Sequence, residues 1–271
     1  MNENGRWIVL EGAVNVRDLG GLPTVDGGVT RSGQVLRGDN LQSLTPADVN
    51  LLVAELKLRH VIDLRSNTEV RLEGPGPLTG EAAVEIHHHT LFAEGGLFTD
   101  AASDDPDEAE IAELDERALP WADAERLDPE LRVTGHYYGY LRDRPDSVVA
   151  ALRVMAHGDG AALVHCAAGK DRTGVLCALA EEVAGVTREA IVADYVATGE
   201  RIAAILERLR SSDTYRVDLD SKPADSHVPR AEYIEHFLEI LDTRYGGPMG
   251  WLAEHGWTDD DTAALRSRLR D

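Results

Sequence analysis

The stretch AALVHCAAGKDRTGVLCALA, residues 161–180, constrains this chain more than any other. A short apolar run ends in His165-Cys166, a loop of small residues follows, and a helical pattern begins near Arg172. A short apolar run stopped by a turn reads as a buried strand. Strand, tight loop and helix in that order belong to a parallel α/β sheet, which binds ligands at the carboxyl ends of its strands.

The rest of the chain fits that frame. Thr45 is a good N-cap, Pro46 suits the first helical position, and Asp48 sits in the first turn. Val49, Leu52, Val53 and Leu56 then recur at helical period, and His60–Leu64 reads as a buried strand. A second strand is expected in AVEIHHHTLF, residues 83–92. Further helices are expected over 146–157, over 188–210 as one element, over about 230–244, and over 259–270 capped by Thr258, with GGPMG (246–250) as an interruption. The glycine-rich GGLPTVDGG (20–28) lacks the lysine of a nucleotide-binding loop and reads as a hairpin turn.

At 271 residues the chain can bury a sizeable core, and it is read as a single domain over 1–271 with an acidic helical insertion at about 93–130. Residues 104–130 hold twelve acidic and two basic residues, close to half of the formal net charge of −22. Ile111, Leu114 and Ala118 give 107–119 an amphipathic period, read either as a solvated surface helix or as a mobile cover over a site. The overall charge argues against nucleic acid and anionic membranes as partners. No run approaches the eighteen or so apolar residues of a membrane span, and no secretory signal opens the chain, so cytoplasmic residence is the expectation, with non-classical export left open. Oligomeric state is not legible.

The chemistry concentrates at Cys166. Successive amides in a tight loop, followed by a helix N-terminus, form an anion-binding nest. Ala167, Ala168 and Gly169 are small enough for close approach of an oxyanion, and Arg172 supplies a planar fork for two phosphate oxygens. A cysteine beside an arginine at a helix N-terminus is commonly a thiolate at neutral pH, because both favour the anion. The expected chemistry is nucleophilic attack on phosphorus through a phosphocysteine intermediate. Thr173 is expected to hydrogen-bond the sulfur, Gly174 to permit close packing at the helix start, and His165 to orient the loop. Cys177 lies inside the helix, is read as core, and is carried away from Cys166, against a resting disulfide.

The string His-Cys-x-x-Gly-x-x-Arg-Thr-Gly, HCAAGKDRTG in this chain, resembles the signature of the cysteine-dependent protein tyrosine phosphatases. The Lys170-Asp171 pair narrows the likeness to a bacterial, lipid-phosphatase-like branch. NVRDLGG (15–21), RSGQVLRGDNL (31–41), VIDLRSNTEV (61–70), IVADYVATGERI (191–202) and RAEYIEHFLEILDTRYGG (230–247) resemble that family in the same order. The likeness spans nearly the whole chain and is weakest over 93–130, where the family carries mobile helices that shield its site.

The resemblance implies a cysteine-dependent phosphatase fold, a central largely parallel sheet flanked by helices. It implies Cys166 as nucleophile, Arg172 as clamp, and the amides of Ala167, Ala168, Gly169, Lys170, Asp171 and Arg172 as phosphate cradle. The implied substrate is phosphotyrosine, with phosphoserine/threonine (dual specificity) and phosphoinositides as extensions that Lys170 would suit, and inorganic phosphate as product. No cofactor or metal is expected. The general acid stays open: Asp171 is the first choice, Asp63 at the end of VIDL the second, and Asp123 in PWAD the third, with a buried structural carboxylate as the alternative role for Asp63. The rival readings are a primary phosphoinositide phosphatase, a non-catalytic phosphate-binding module and a rhodanese-type sulfurtransferase.

In His87-His88-His89 a strand lets only His87 and His89 share a face, and no ligand spacing accompanies them, so a strand end near the site is favoured over a metal. Arg17, Asp18 and Arg37 are expected to form structural salt bridges.

Overall fold

The structure, a computed structural model, describes residues 5–93, 129–220 and 223–270. Apart from its ends, the acidic insertion lies outside these residues, as do the expected helix at 107–119 and Asp123.

Among the described residues, five strands form one sheet in the order β1-β2-β5-β3-β4. They are β1 (Arg17–Asp18), β2 (Val35–Gly38), β3 (Leu58–Asp63), β4 (Glu85–His88) and β5 (Ala161–His165). Only β1 runs antiparallel to its neighbour; β2, β5, β3 and β4 are mutually parallel. The central strand β5 is buried along its whole length, as expected of a strand covered on both faces.

Helices α1 (Pro46–Asn50), α2 (Asn67–Glu73), α3 (Pro129–Asp143) and α4 (Pro145–His157) precede β5. Helices α5 (Asp171–Ala184), α6 (Arg188–Ala197), α7 (Ile202–Arg210), α8 (Arg216–Asp220), α9 (Ala231–Tyr245), α10 (Pro248–Glu254) and α11 (Asp259–Leu269) follow it. One core joins Val164 and Ile62 to Leu152 and Met155 of α4, Leu176 and Leu179 of α5, and Phe237 of α9. A second, on the other face, joins Leu36, Val61 and Leu163 to Leu10, Val49 and Leu52. The helix α5 is buried nearly all round, so Cys177 is core, its thiol pushed up to about 12 by burial. Both cysteines are free.

Several boundaries differ from expectation, each for a local reason. Thr45 caps α1 in a reciprocal capping box with Asp48, but α1 then widens into a π-helical turn over Leu51–Glu55. The single helix expected over 188–210 is two, divided by a 3₁₀ turn at Thr198–Arg201. There the buried Arg17 takes the Asp194 carbonyl at 2.7 Å and the Thr198 hydroxyl at 3.1 Å, tying the end of α6 to the sheet. GGPMG is not a plain interruption, because Pro248 opens α10. The GGLPTVDGG segment is a hairpin, with Pro23 bridging Val29 and the Thr24 amide donating to Gly28.

Candidate active site

The carboxyl ends of the parallel strands deliver Asp39, Asp63 and Cys166 to one edge of the sheet, each just at or after the end of its strand. From Cys166 the chain turns through Gly169 (φ +65°) into α5. A Cβ at Gly169 would stand 2.4 Å from the Gly38 carbonyl oxygen, so both the angle and the space require glycine. At Gly174 a Cβ would meet the Tyr195 ring at 2.9 Å, which shows how closely α5 packs on α6.

The loop carbonyls are held from outside. The Cys166 carbonyl accepts from His165 Nδ1 at 3.2 Å, and that of Ala167 from the Asn40 amide at 2.9 Å. Asn15 Nδ2 donates to the carbonyls of Ala168 (3.0 Å) and Gly169 (3.2 Å), and Arg37 also donates to Gly169, at 2.9 Å. In a planar trans peptide the carbonyl of one residue and the N–H of the next point opposite ways. Fixing four successive carbonyls outward therefore aims the amides of Ala167, Ala168, Gly169 and Lys170 inward.

A buried cluster does the holding. Arg17 and Arg37 are each 1% exposed and share Asp194, at 3.2 and 2.5 Å. Arg6 also reaches Asp194. Arg17 donates to Asn15 Oδ1 at 2.7 Å and so orients the amide that grips the loop. The expected salt bridges of Arg17 and Arg37 thus share one distant carboxylate, whereas Asp18 caps the amides of Gly20 and Gly33.

Arg172 reaches back over the loop from the first turn of α5. Its guanidinium makes a forked pair with Glu69 at 2.5 and 3.0 Å, donates to the Leu64 carbonyl at 3.2 Å, and lies 5.1 Å from the centre of the Phe92 ring. Burial opposes its charge, yet Glu69 raises it well above even the usual arginine range. Glu69 is the residue that sequence reasoning missed. Its signal was present in Ser66-x-x-Glu69, a capping box at the start of α2 that fixes the carboxylate in place.

The candidate acids separate clearly. Asp171 Oδ1 accepts from the Tyr137 hydroxyl at 2.5 Å, and that hydroxyl meets Tyr195 at 2.6 Å. Asp171 lines one cleft with Cys166 and Arg172. Tyr137 reaches it because Gly135, at φ +77°, breaks α3 just before it. Asp63 instead lies away from that cleft, 4% exposed, gripped by Arg65 at 2.6–3.1 Å and by the Arg65 amide at 3.0 Å. Burial alone would raise the Asp63 carboxyl, but His165 and Arg65 hold it well below the usual range. An acid so firmly ionised has no proton to give, and the geometry fits the buried structural role.

The supporting residues are placed as follows. Burial, with help from Arg65 and Arg172, pushes His165 down to about 4, so it is neutral at physiological pH. Lys170 Nζ donates to the His227 carbonyl at 2.9 Å and stands 3.6 Å from Asp171 Oδ2. The Thr173 hydroxyl, fully buried, makes no hydrogen bond among the described residues, to sulfur included. The expected contact to Cys166 is therefore absent from this conformation.

The cleft above the loop has a volume of about 1100 Å³. One wall is apolar, from Ile202, Ile205 and Leu206 of α7 with Tyr215, and Lys170 and Asp171 bring charge to its floor. The histidine triple lies apart from it. His87 and His89 share a face, their rings stacked with centroids 6.3 Å apart, whereas His88 turns the other way to the Arg65 carbonyl.

Cys166, the inward amides, the Arg172 fork and the cleft-facing Asp171 carboxyl thus lie together at the carboxyl end of β5. The model of the tyrosine phosphatase family matches residues 8–271, and the chain belongs to that family. It is 28% identical over 283 residues to the triple specificity protein phosphatase PtpB of Mycobacterium tuberculosis, covering 96% of this chain and 98% of that protein. It is 30% identical over 259 residues to a putative tyrosine-protein phosphatase of Cupriavidus necator, covering 93% and 84%. A tyrosine-protein phosphatase of Nostoc commune is 33% identical over 126 residues, 43% of this chain and 42% of that one. The family is that of a protein-tyrosine phosphatase, an enzyme acting on phosphorylated substrates. Among the described residues no helix is long and apolar enough to cross a membrane.

Proposed function

We propose that the chain hydrolyses phosphotyrosine through a covalent phosphocysteine, with Cys166 as nucleophile, Asp171 as general acid and base, and Arg172 with the loop amides as the oxyanion clamp. The observation that carries this reading is the outward fixing of four loop carbonyls around Cys166, which aims the intervening amides at one point above the sulfur.

The substrate phosphoryl group settles on those amides, and its aromatic ring lies against the apolar wall of the cleft. The Cys166 sulfur attacks phosphorus in line. The P–O bond to the tyrosyl oxygen breaks, and Asp171 Oδ2 gives that oxygen a proton. Tyr137 occupies Oδ1, so Oδ2 is the oxygen left to exchange a proton with substrate and water. Water then attacks the S–P bond, Asp171 takes the proton back, and inorganic phosphate leaves with the sulfur restored as thiolate. Arg172 holds equatorial charge through both steps, a preorganised arrangement because Glu69 fixes the guanidinium beforehand.

Lys170 favours a wider range. Its ammonium reaches the cleft beside Asp171, and a second cation next to the cradle suits phosphoinositide headgroups and phosphoserine/threonine as well. The PtpB relative carries triple specificity in its name. Asp171 takes precedence over Asp63 because only Asp171 lines the cleft.

The test is steady-state hydrolysis of phosphotyrosine and para-nitrophenyl phosphate in EDTA by wild type, Cys166→Ser and Asp171→Asn. Cys166→Ser should abolish both activities. Asp171→Asn should lower phosphotyrosine turnover by about 10²–10⁴-fold, the usual range for a positioned acid. It should cost para-nitrophenyl phosphate less, because that leaving group needs less protonation. Turnover surviving in Cys166→Ser would overturn the mechanism, and an undiminished Asp171→Asn would remove the acid assignment.

A further inference from the structure

We propose that His60, His87 and Glu85 form a binding site for a divalent transition-metal cation, zinc by its ligand chemistry, on the outer part of the sheet away from the phosphatase cleft. None of the three lines that cleft.

The register of two parallel strands assembles the group. In the β3–β4 pair His60 stands opposite Glu85, and Ile62 opposite His87. Glu85 and His87 are two apart on β4 and share a face, the face to which His60 also points. This pairing across strands could not be read along the His87-His88-His89 run, where the second ligand would have to be His89.

The distances suit a metal. His60 Nδ1 and His87 Nε2 are 3.1 Å apart. Two nitrogens each about 2.0–2.1 Å from one tetrahedral zinc stand roughly 3.3 Å apart. The Glu85 Oε2 atom lies 4.0 Å from His60 Nδ1 and 3.8 Å from His87 Nε2. All three ligand atoms fall within 4.8 Å of one another. The two rings are largely covered, at 12% and 19% exposure, whereas the Glu85 carboxylate is 69% exposed and free to swing the last few tenths of an ångström inward. A solvent molecule would complete four-coordination on the open side.

A second, independent feature sets the ligand state. His60 Nε2 lies 3.1 Å from Asp159 Oδ1. The carboxylate accepts the Nε2 proton, which leaves the Nδ1 lone pair facing His87 and Glu85. A carboxylate behind a histidine whose other nitrogen faces the metal is the usual outer partner of such sites. Two imidazoles and a carboxylate are borderline donors that suit zinc, with copper and nickel as the tight competitors. The rival account is a plain hydrogen bond from His87 Nε2–H to His60 Nδ1, which needs no ion. β4 is the edge strand, so a bound ion would pin that edge to β3.

The experiment uses the untagged full chain carrying Cys166→Ser, so that the active-site sulfur cannot take the ion. Zinc chloride is titrated calorimetrically with EDTA competition as a check, and melting is followed at fixed zinc. One zinc per chain is expected, with a rise in Tm that grows with zinc concentration. His60→Gln and His87→Gln should each abolish the stoichiometric step and the rise in Tm. Asp159→Asn should weaken binding by about 10–100-fold, as loss of an outer partner does. His87 and Asp159 reach the surface, so those variants carry the decision if His60→Gln fails to fold by circular dichroism. No stoichiometric zinc binding by the Cys166→Ser protein, or unchanged binding by a folded His87→Gln variant, would overturn the site and leave the plain hydrogen bond.

Discussion

Two arginine–carboxylate clusters flank the loop between β5 and α5, and they are built differently. Beneath it, Arg6, Arg17 and Arg37 converge on the single carboxylate of Asp194. Beside it, Arg172 makes a forked pair with Glu69, whose carboxylate also accepts from the Ser66 amide. The consequence shows in the guanidiniums. Burial and the neighbouring Arg37 pull Arg17 down to about 10, while Asp194 raises Arg37; Glu69 likewise raises Arg172 despite its burial. The lower cluster holds more cations than anions, with Arg37 hydrogen-bonded to a carbonyl of the loop itself. In a chain of formal charge −22, these arginines keep buried positive charge close to the loop. The lower cluster holds the loop carbonyls; the upper one places Arg172 on the cleft wall, where the proposed reaction uses it as the clamp.

The sharpest way to break this division is to remove the shared carboxylate. Asp194→Asn leaves Arg17 and Arg37 buried without their counter-charge and should destabilise the protein by roughly 3–5 kcal/mol, the cost of breaking a buried pair from one side. Urea denaturation reads it as a lower midpoint at unchanged slope. A loss below about 1 kcal/mol would mean that the lower cluster is not held together by charge. Arg172→Lys probes the other cluster. It keeps a cation beside Glu69 but loses the planar fork, so the melting temperature should move little. Turnover should fall by about 10²–10³-fold, the effect of losing one oxyanion donor. If stability fell and turnover held, the roles of the two clusters would be reversed.

The lower parts of the site were far less legible in the sequence than the loop itself. The loop is contiguous, so Cys166, Arg172 and the small residues between them carry their own spacing. The strand, the helix after it and the α1 cap follow from local pattern in the same way. The carbonyl grip is assembled from Asn15, Arg37 and Asp194, which are far apart in the chain and meet only through sheet order and the packing of α6. Glu69 was half legible, since its capping box marks a helix start but not the arginine it also meets. The break in the 188–210 helix was invisible for the same reason: the group that ties down Asp194 and Thr198 is Arg17, from β1. Gly135 carried a signal that went unused, a glycine whose positive φ turns Tyr137 onto Asp171.

A pH experiment extends the comparison to the strand between the clusters. His165 is buried and its folded value, about 4, lies below the ordinary histidine value of about 6.5. The unfolded chain therefore binds a proton that the folded protein refuses. Its contribution is fully present above about pH 6.5 and is lost as pH falls toward 4, amounting to about 3 kcal/mol. His89, also pushed down to about 4 by burial, acts in the same window. Denaturation midpoints from pH 7 to 4 should decline in wild type and decline less in His165→Gln. Parallel curves for the two proteins would show that His165 is not the group refusing the proton. Below about pH 4 the depressed carboxyls of Asp63 and Asp194 add a further decline, since their stabilisation is present above their unfolded values and disappears as acid protonates them.

The smallest expected effect sharpens the contrast between Asp171 and Asp63 rather than between the arginines. Tyr137 touches Asp171 at 2.5 Å and is itself backed by Tyr195, so it acts as a positioning residue. Tyr137→Phe keeps the ring packed against Phe237 and Tyr140 and removes only the hydroxyl. One hydrogen bond contributes up to about 1.5 kcal/mol, so kcat on phosphotyrosine should fall by up to about tenfold with KM little changed. A merely structural role would lower turnover of all substrates alike. Misplacing the acid should instead spare para-nitrophenyl phosphate, whose leaving group departs with little help, and should leave an Asp171→Asn background unaffected. Equal losses on both substrates, or a further loss in the Asp171→Asn protein, would detach Tyr137 from the acid and return it to the core.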